Sequence, residues 1–225
     1  MNLPTTYVRA RSAEQKEERR RHLLVTARLM LSDTPKLLDL GLNELARTAG
    51  MTKSNVYRYF ESVEAVLMDV LVEEFVGWQL ELRAALARRK LKVTAEHIAW
   101  AFSETIAARP LLCRLTSILP SILERNVSLE RMVGFKRNLL AVQQQAALDF
   151  HSSHPAMSVR AFEQLIRHAL PLLIGLWPLS HPSEVSAQVL VQPGLESLRY
   201  EFRSDFERGL LTLLGGLATV QEPSG

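Results

Sequence analysis

Apolar residues recur along this chain three and four positions apart, and sustained two-residue alternation is missing, so the pattern predicts helices and almost no strand. Leu23, Leu24, Ala27, Met30 and Leu31 form a first stripe, with Lys16, Arg19, Arg20 and Arg28 available to its polar side. Ser32, Asp33 and Pro35 end it. Two short helical runs follow, Leu42–Ala49 and Lys53–Phe60, separated by Gly50-Met51-Thr52. A long run without proline extends from Ser62 to about Lys90, its stripe including Val66, Leu67, Val70, Leu71, Phe75 and Trp78. Further helices are predicted over Thr94–Ala108, Pro110–Arg125, Ser128–His151, Ser158–Trp177 and Leu195–Leu217. Pro110 and Pro155 stand at junctions, where proline suits a first turn or a linker. Pro120 and Pro171 fall inside runs and are expected to kink or interrupt them. The stretch from Leu179 to Gly194 has little periodicity and is expected to be a loop. The expectation is an all-α chain of about nine helices.

The segment Gly41 to Phe60, GLNELARTAGMTKSNVYRYF, has the spacing of a helix-turn-helix. Leu42, Leu45, Ala46 and Ala49 give its first helix an inward face, and Ala46 is small where two helices cross closely. Gly50 can take the left-handed conformation that ends this helix. Thr52 is a good N-cap for the next one, and Val56 and Phe60, four apart, anchor that helix on the core. Lys53, Ser54, Asn55, Tyr57, Arg58 and Tyr59 are then left facing outward. They are donors and aromatic hydroxyls with no carboxylate among them, a set suited to phosphates and base edges. Tyr57 and Tyr59 suit phosphates, and Lys53 to Asn55 are better placed for bases.

Charge changes the weight of that hairpin, which by itself is a common structural device. The formal net charge of the 225 residues is +3. Residues 1–60 hold 11 Lys/Arg against 6 Asp/Glu, whereas residues 61–225 hold 16 against 18. A basic end on a near-neutral body fits contact with a polyanion at that end. Composition otherwise excludes classes: 47% hydrophobic and 23% charged residues describe a folded protein, not a disordered one. The longest strongly apolar stretch, Ala169–Leu179, contains Pro171 and Pro178 and is too short for a bilayer. Met1–Ser12 lacks the apolar run of a signal peptide. No membrane contact is expected, and the chain reads as cytoplasmic.

The first helix, Gly41–Phe60 and the start of the following helix resemble the DNA-binding domain of the tetracycline-repressor (TetR) family. The run Leu45-Ala46-Arg47-Thr48-Ala49-Gly50, followed by Val56-Tyr57-Arg58-Tyr59-Phe60, fits its pattern closely over roughly residues 14–70. Two positions depart from it: Gly41 stands where the family usually has a capping Ser or Thr, and Val63 where many members have a phosphate-contacting Lys or Arg. The resemblance implies a dimeric, ligand-responsive transcriptional regulator, most often a repressor released from palindromic operator DNA by a small-molecule effector. It implies a three-helix DNA-binding domain over residues 1–62 and a helical effector-binding and dimerisation domain over 63–225. In the latter, Trp78, Trp100, Phe102, Phe135 and Trp177 are pocket candidates, with ordinary core packing the competing reading for each. Leu210, Leu213, Leu214 and Leu217 share one stripe of the last helix and are the candidate homodimer surface, although such a stripe could equally be buried within the monomer.

Other chemistry is weaker. His151 and His154 lack a completing cysteine or carboxylate and read as surface histidines rather than metal ligands. The single cysteine, Cys113, has no evident base in sequence and reads as a buried structural thiol. Gly209, Gly215 and Gly216 lack the strand-turn-helix setting of a phosphate loop. No catalytic, metal or cofactor constellation is expected. The rival readings are a helical small-molecule-binding or adaptor protein without operator binding, and a helical enzyme.

Overall fold

The computed structural model describes residues 5–33, 40–88 and 93–219, and every regular element among them is helical. There are ten α-helices: α1 Thr5–Asp33, α2 Leu42–Thr48, α3 Lys53–Tyr57, α4 Val63–Ala87, α5 Ala95–Ala107, α6 Pro110–Ile118, α7 Leu129–Ser153, α8 Val159–Ser180, α9 Glu184–Val189 and α10 Phe202–Thr219. Pro35 and Lys90, where two predicted helix ends were placed, lie outside the described residues. Side-chain caps set most of the starts. Thr52, Ser62, Thr94, Ser128, Ser158 and Ser183 each accept the backbone N–H three residues on, satisfying a donor that the first turn leaves open.

Helix α4 is the hub, packing against α1, α5, α6 and α7. Ala65, Val66, Leu67, Met68, Val70 and Leu71 are all buried, so its first half is enclosed on nearly every side. Ion pairs fasten α1 along it: Arg20 to Asp69 at 2.7 Å, and Arg28 to Glu73 at 2.7 Å and Glu74 at 3.1 Å. A run of rings crosses the larger helical body, from Trp78 to Phe102 (centroids 5.2 Å apart), Phe150 (5.5 Å) and Phe162 (5.5 Å). Helices α8 and α10 approach closely at Gly209, where a Cβ would stand 2.5 Å from Leu172 Cδ2.

The structure departs from the sequence pattern in four places. A short helix, α9, forms inside the stretch expected to be a loop, because Ser183 caps it and Gly194, at φ +87°, stops the segment beyond it. Helix α10 begins at Phe202 rather than Leu195. Its start is fixed by carboxylates: Glu201 accepts the Ser204 N–H at 2.7 Å, and Asp205 accepts the Glu201 N–H at 2.8 Å. The same contacts with Ser204 hold the Glu201 carboxyl below its ordinary range. Helix α8 continues through Pro171 and Pro178, both exposed, whereas Pro120 falls in a π-helical turn, Leu119–Leu123, that ends α6. Finally α3 is helical only to Tyr57, and Arg58 to Phe60 close in a tighter turn. Among the described residues no single helix is long and apolar enough to cross a membrane.

Candidate functional site

Helices α2 and α3 make the expected helix-turn-helix. Gly50 has φ +65°, and the turn is closed by the Met51 N–H donating to the Ala46 carbonyl at 2.9 Å. Gly50→Ala is expected to cost about 1 kcal/mol, the penalty of a Cβ in the left-handed region, read as a lower midpoint of chemical denaturation. Thr52 Oγ1 accepts the Asn55 N–H at 3.4 Å. Val56 and Phe60 are fully buried. Their burial turns Lys53, Ser54, Tyr57 and Arg58 to solvent and leaves Asn55 and Tyr59 half-exposed. The Lys53 ammonium lies 5.7 Å from the centre of the Tyr57 ring, which keeps both on one exposed ridge. No acidic side chain belongs to that ridge. The basic excess of the N-terminal end divides in two: Arg20 and Arg28 are engaged by the acids of α4, while Lys16, Arg19, Arg21, Lys53 and Arg58 remain exposed.

A clamp holds the end of this ridge. The guanidinium groups of Arg20 of α1 and Arg131 of α7 both lie against the Phe60 ring, at 5.9 and 5.7 Å from its centre. Both arginines reach one carboxylate, Asp69, at 2.7 and 3.1 Å. Arg131 also donates to the Tyr59 carbonyl at 3.3 Å, and Glu61 accepts the Ser128 N–H at 2.9 Å. That bond to Ser128 lowers the Glu61 carboxyl below its ordinary value. The start of α7 is thus tied directly to the residues that follow α3. Gly41 caps α2 without a side chain, and Val63 opens α4 half-buried against the core.

A cavity of about 30 Å³ lies within the larger helical body. Its walls come from α4, α5, α7, α8 and α10 and include Phe75, Trp78, Phe102, Gln143, Leu173 and Phe206.

Comparison with known proteins decides the lineage. Residues 72–221 match the sequence profile of the tetracyclin repressor-like C-terminal domain. The chain belongs to the TetR family. It is a transcriptional regulator of that family, with the all-α fold of its kin. A possible TetR family transcriptional regulator from Streptomyces coelicolor A3(2) superposes with a TM-score of 0.53 at 18% identity, over 90% of this chain and all of the other. A second protein, proposed to be a TetR-family transcriptional regulator from Mesorhizobium loti MAFF303099, gives a TM-score of 0.49 at 13% identity, over 91% and 97% of the two chains. No curated protein shows significant sequence similarity.

The pocket candidates of this TetR-family chain separate. Trp78 and Phe102 line the cavity, together with Phe75, Phe206 and Gln143, none of which was a pocket candidate from sequence. Phe75 stands three positions before Trp78 on one helix, a spacing that could have suggested it. Trp100 is half-buried and stacks on His97 with centroids 5.2 Å apart, and Phe135 is buried; neither lines the cavity. Trp177 stacks on His181 at 3.8 Å and borders a separate, open cleft with Arg199 and Tyr200. Those three rings pack elsewhere and do not border this cavity.

The leucine stripe of α10 divides too. Leu210 and Leu214 are 0% and 1% exposed within this one chain, so they belong to its own core, whereas Leu213 and Leu217 are half-buried and reachable. Gly209 also faces inward, against Leu172, and Gly216 stands in open space. His151 and His154 are half-buried rather than on the surface. Each bonds through Nδ1 to a backbone carbonyl, of Met157 at 2.8 Å and of Val93 at 2.7 Å, pinning the chain around the end of α7. Cys113 is buried, its thiol directed at the Ile106 carbonyl at 3.4 Å, and burial pushes its pKa well above the ordinary thiol value.

Proposed function

We propose that this TetR-family regulator binds palindromic operator DNA as a homodimer, acts as a repressor, and is released when a small molecule occupies the cavity of its larger helical body. The observation that carries this reading is the ridge of α3: donors and aromatic hydroxyls without a carboxylate, on a helix whose opposite face is locked into the core by Val56 and Phe60. Lys53, Ser54 and Asn55 are assigned to base edges, and Tyr57, Arg58 and Tyr59 to phosphates. Residues 1–62 act as the DNA-binding unit and 63–225 as the effector-binding and dimerisation unit. Leu213 and Leu217 supply the reachable part of the dimer surface on α10. Release follows if the occupied state holds the two recognition helices at a spacing that no longer matches successive major grooves.

Two measurements test the DNA contact. With two or three cations per protomer on phosphates, the slope of log affinity against log salt concentration is expected to be about −4 to −5. A nearly flat plot would refute direct operator binding. Tyr57→Ala should weaken binding to all sequences alike, whereas Asn55→Ala should relax preference at one base pair by about 1–3 kcal/mol. Binding-site selection with each variant separates the two roles, and an unaltered preference for Asn55→Ala would strike it from the base-reading set.

A further inference from the structure

The open cleft beside Trp177 holds about 580 Å³, within the range of about 300–1,000 Å³ common to small-molecule sites. Three parts of the chain enclose it: the junction of α5 and α6 at Ala107 and Pro110, the end of α8, and the segment from Glu196 that leads into α10. Its floor is fixed. Trp177 and Phe202 are buried and meet edge to face with centroids 4.9 Å apart, and His181 stacks on the indole while its Nδ1–H donates to the Trp177 carbonyl at 2.9 Å. Two charges of the wall are committed elsewhere: Arg203 pairs with Glu104 and Glu207, and Glu201 caps α10 through the Ser204 N–H. Arg199 and Glu196 are different. Both line the cleft, three residues apart, yet they do not pair with each other. Among the described residues the Arg199 guanidinium and the Tyr200 hydroxyl have no partner, and Glu196 engages one carboxylate oxygen, on the Gly194 N–H at 2.9 Å, leaving the other open.

We propose that this cleft is a second ligand site, separate from the cavity, and that it takes a free amino acid with an apolar side chain. The ligand's carboxylate meets Arg199 and Tyr200, its ammonium meets Glu196, and its side chain lies against Pro110 and the aromatic floor. This site does not depend on the effector role given to the cavity. Opposite charges on one wall select for a ligand that carries both. A simple anion would bring its charge against Glu196 and a simple cation against Arg199, whereas a zwitterion is complementary to each. Arginine suits the carboxylate in particular, since its planar fork donates two parallel hydrogen bonds to the two oxygens. The Glu196 carboxylate accepts only, so it recognises the ammonium and not a second carboxylate. The Trp177 and Phe202 rings add nothing for glycine, which has no side chain to lay on them.

Phenylalanine, phenylalanine amide, N-acetylphenylalanine and glycine are each titrated into the full-length protein while the indole N–H cross-peaks of Trp177 and Trp78 are followed by NMR. The amide lacks the carboxylate and the acetylated compound lacks the ammonium, and each is expected to bind at least about tenfold more weakly than phenylalanine. Glycine should also lose about tenfold or more, for want of a side chain on the floor. Arg199→Gln should bring phenylalanine down to the level of its amide and leave the amide unaltered. Glu196→Gln should bring it down to the level of N-acetylphenylalanine and leave that compound unaltered. Both side chains are exposed, so neither substitution disturbs the fold. The proposal is overturned if phenylalanine leaves the Trp177 signal unmoved at millimolar concentration, if the amide or the acetylated compound binds as tightly as phenylalanine, or if either substitution leaves phenylalanine affinity unaltered. Movement of the Trp78 signal in place of Trp177 would put the ligand in the cavity and overturn it equally.

Discussion

Phe60→Ala is expected to destabilise the protein by about 3–5 kcal/mol, the range for removing a fully buried aromatic side chain. The ring is 0% exposed and has two guanidinium groups against it, so truncation removes apolar burial and the π-system that both cations contact. The arginines would remain paired with Asp69 but lose their footing on the ring. Phe60→Leu, which retains most of the apolar volume without a ring face, should lose about 1–2 kcal/mol. Because Phe60 follows directly on the ridge proposed to contact DNA, DNA affinity should fall with stability in both variants. Chemical denaturation checks the first effect and titration with selected DNA the second. A Phe60→Ala protein within about 1 kcal/mol of the parent would contradict the described clamp.

The double substitution Leu213→Arg, Leu217→Arg is expected to give a soluble monomer with operator affinity reduced about 100- to 10,000-fold, the gain ordinarily supplied by linking two half-sites. In an isologous dimer the same patch meets its copy, so four guanidinium groups without partners would be forced together. Leu210 and Leu214 are unsuitable for this test, since they sit in the core of the single chain. Light scattering reports the mass and DNA titration the affinity. Aggregation of the variant would place Leu213 and Leu217 in the monomer core as well. A dimer of normal mass and affinity would move the homodimer surface elsewhere.

How far the sequence could be read depended on the range of the forces involved. The helix-turn-helix was legible because its determinants are local: Gly50 for the left-handed turn, Thr52 for the cap, Val56 and Phe60 for the buried face. The starts of α5, α7 and α8 were marked by Thr94, Ser128 and Ser158 in the same way. Helix α9 escaped because its few residues bury nothing, so no apolar period announces it. The leucines of α10 were assigned to one stripe, yet Leu210 and Leu213 are about 60° apart around the helix, and the edge of the core passes between them. The cavity could not be read at all from one helix. Phe75, Gln143 and Phe206 lie far apart in sequence and meet only because five helices converge. The same holds for Asp69, whose two arginine partners come from opposite sides of α4 in chain order.

Helix α7 runs unbroken from Leu129 to Ser153, and Arg131 near its start is twelve residues from Gln143 on the cavity wall. At 1.5 Å per residue that separation is about 18 Å. Such a rod is a lever: a tilt of about 5° pivoting at Gln143 sweeps its Arg131 end through about 1.5 Å. The hydrogen bond from Arg131 to the Tyr59 carbonyl is 3.3 Å long and has no slack for a displacement of that size. The aim of the α3 ridge, proposed above to contact DNA, therefore depends on the angular stiffness of one helix, set by its packing along α4 and α8, more than on the strength of any bond at its tip.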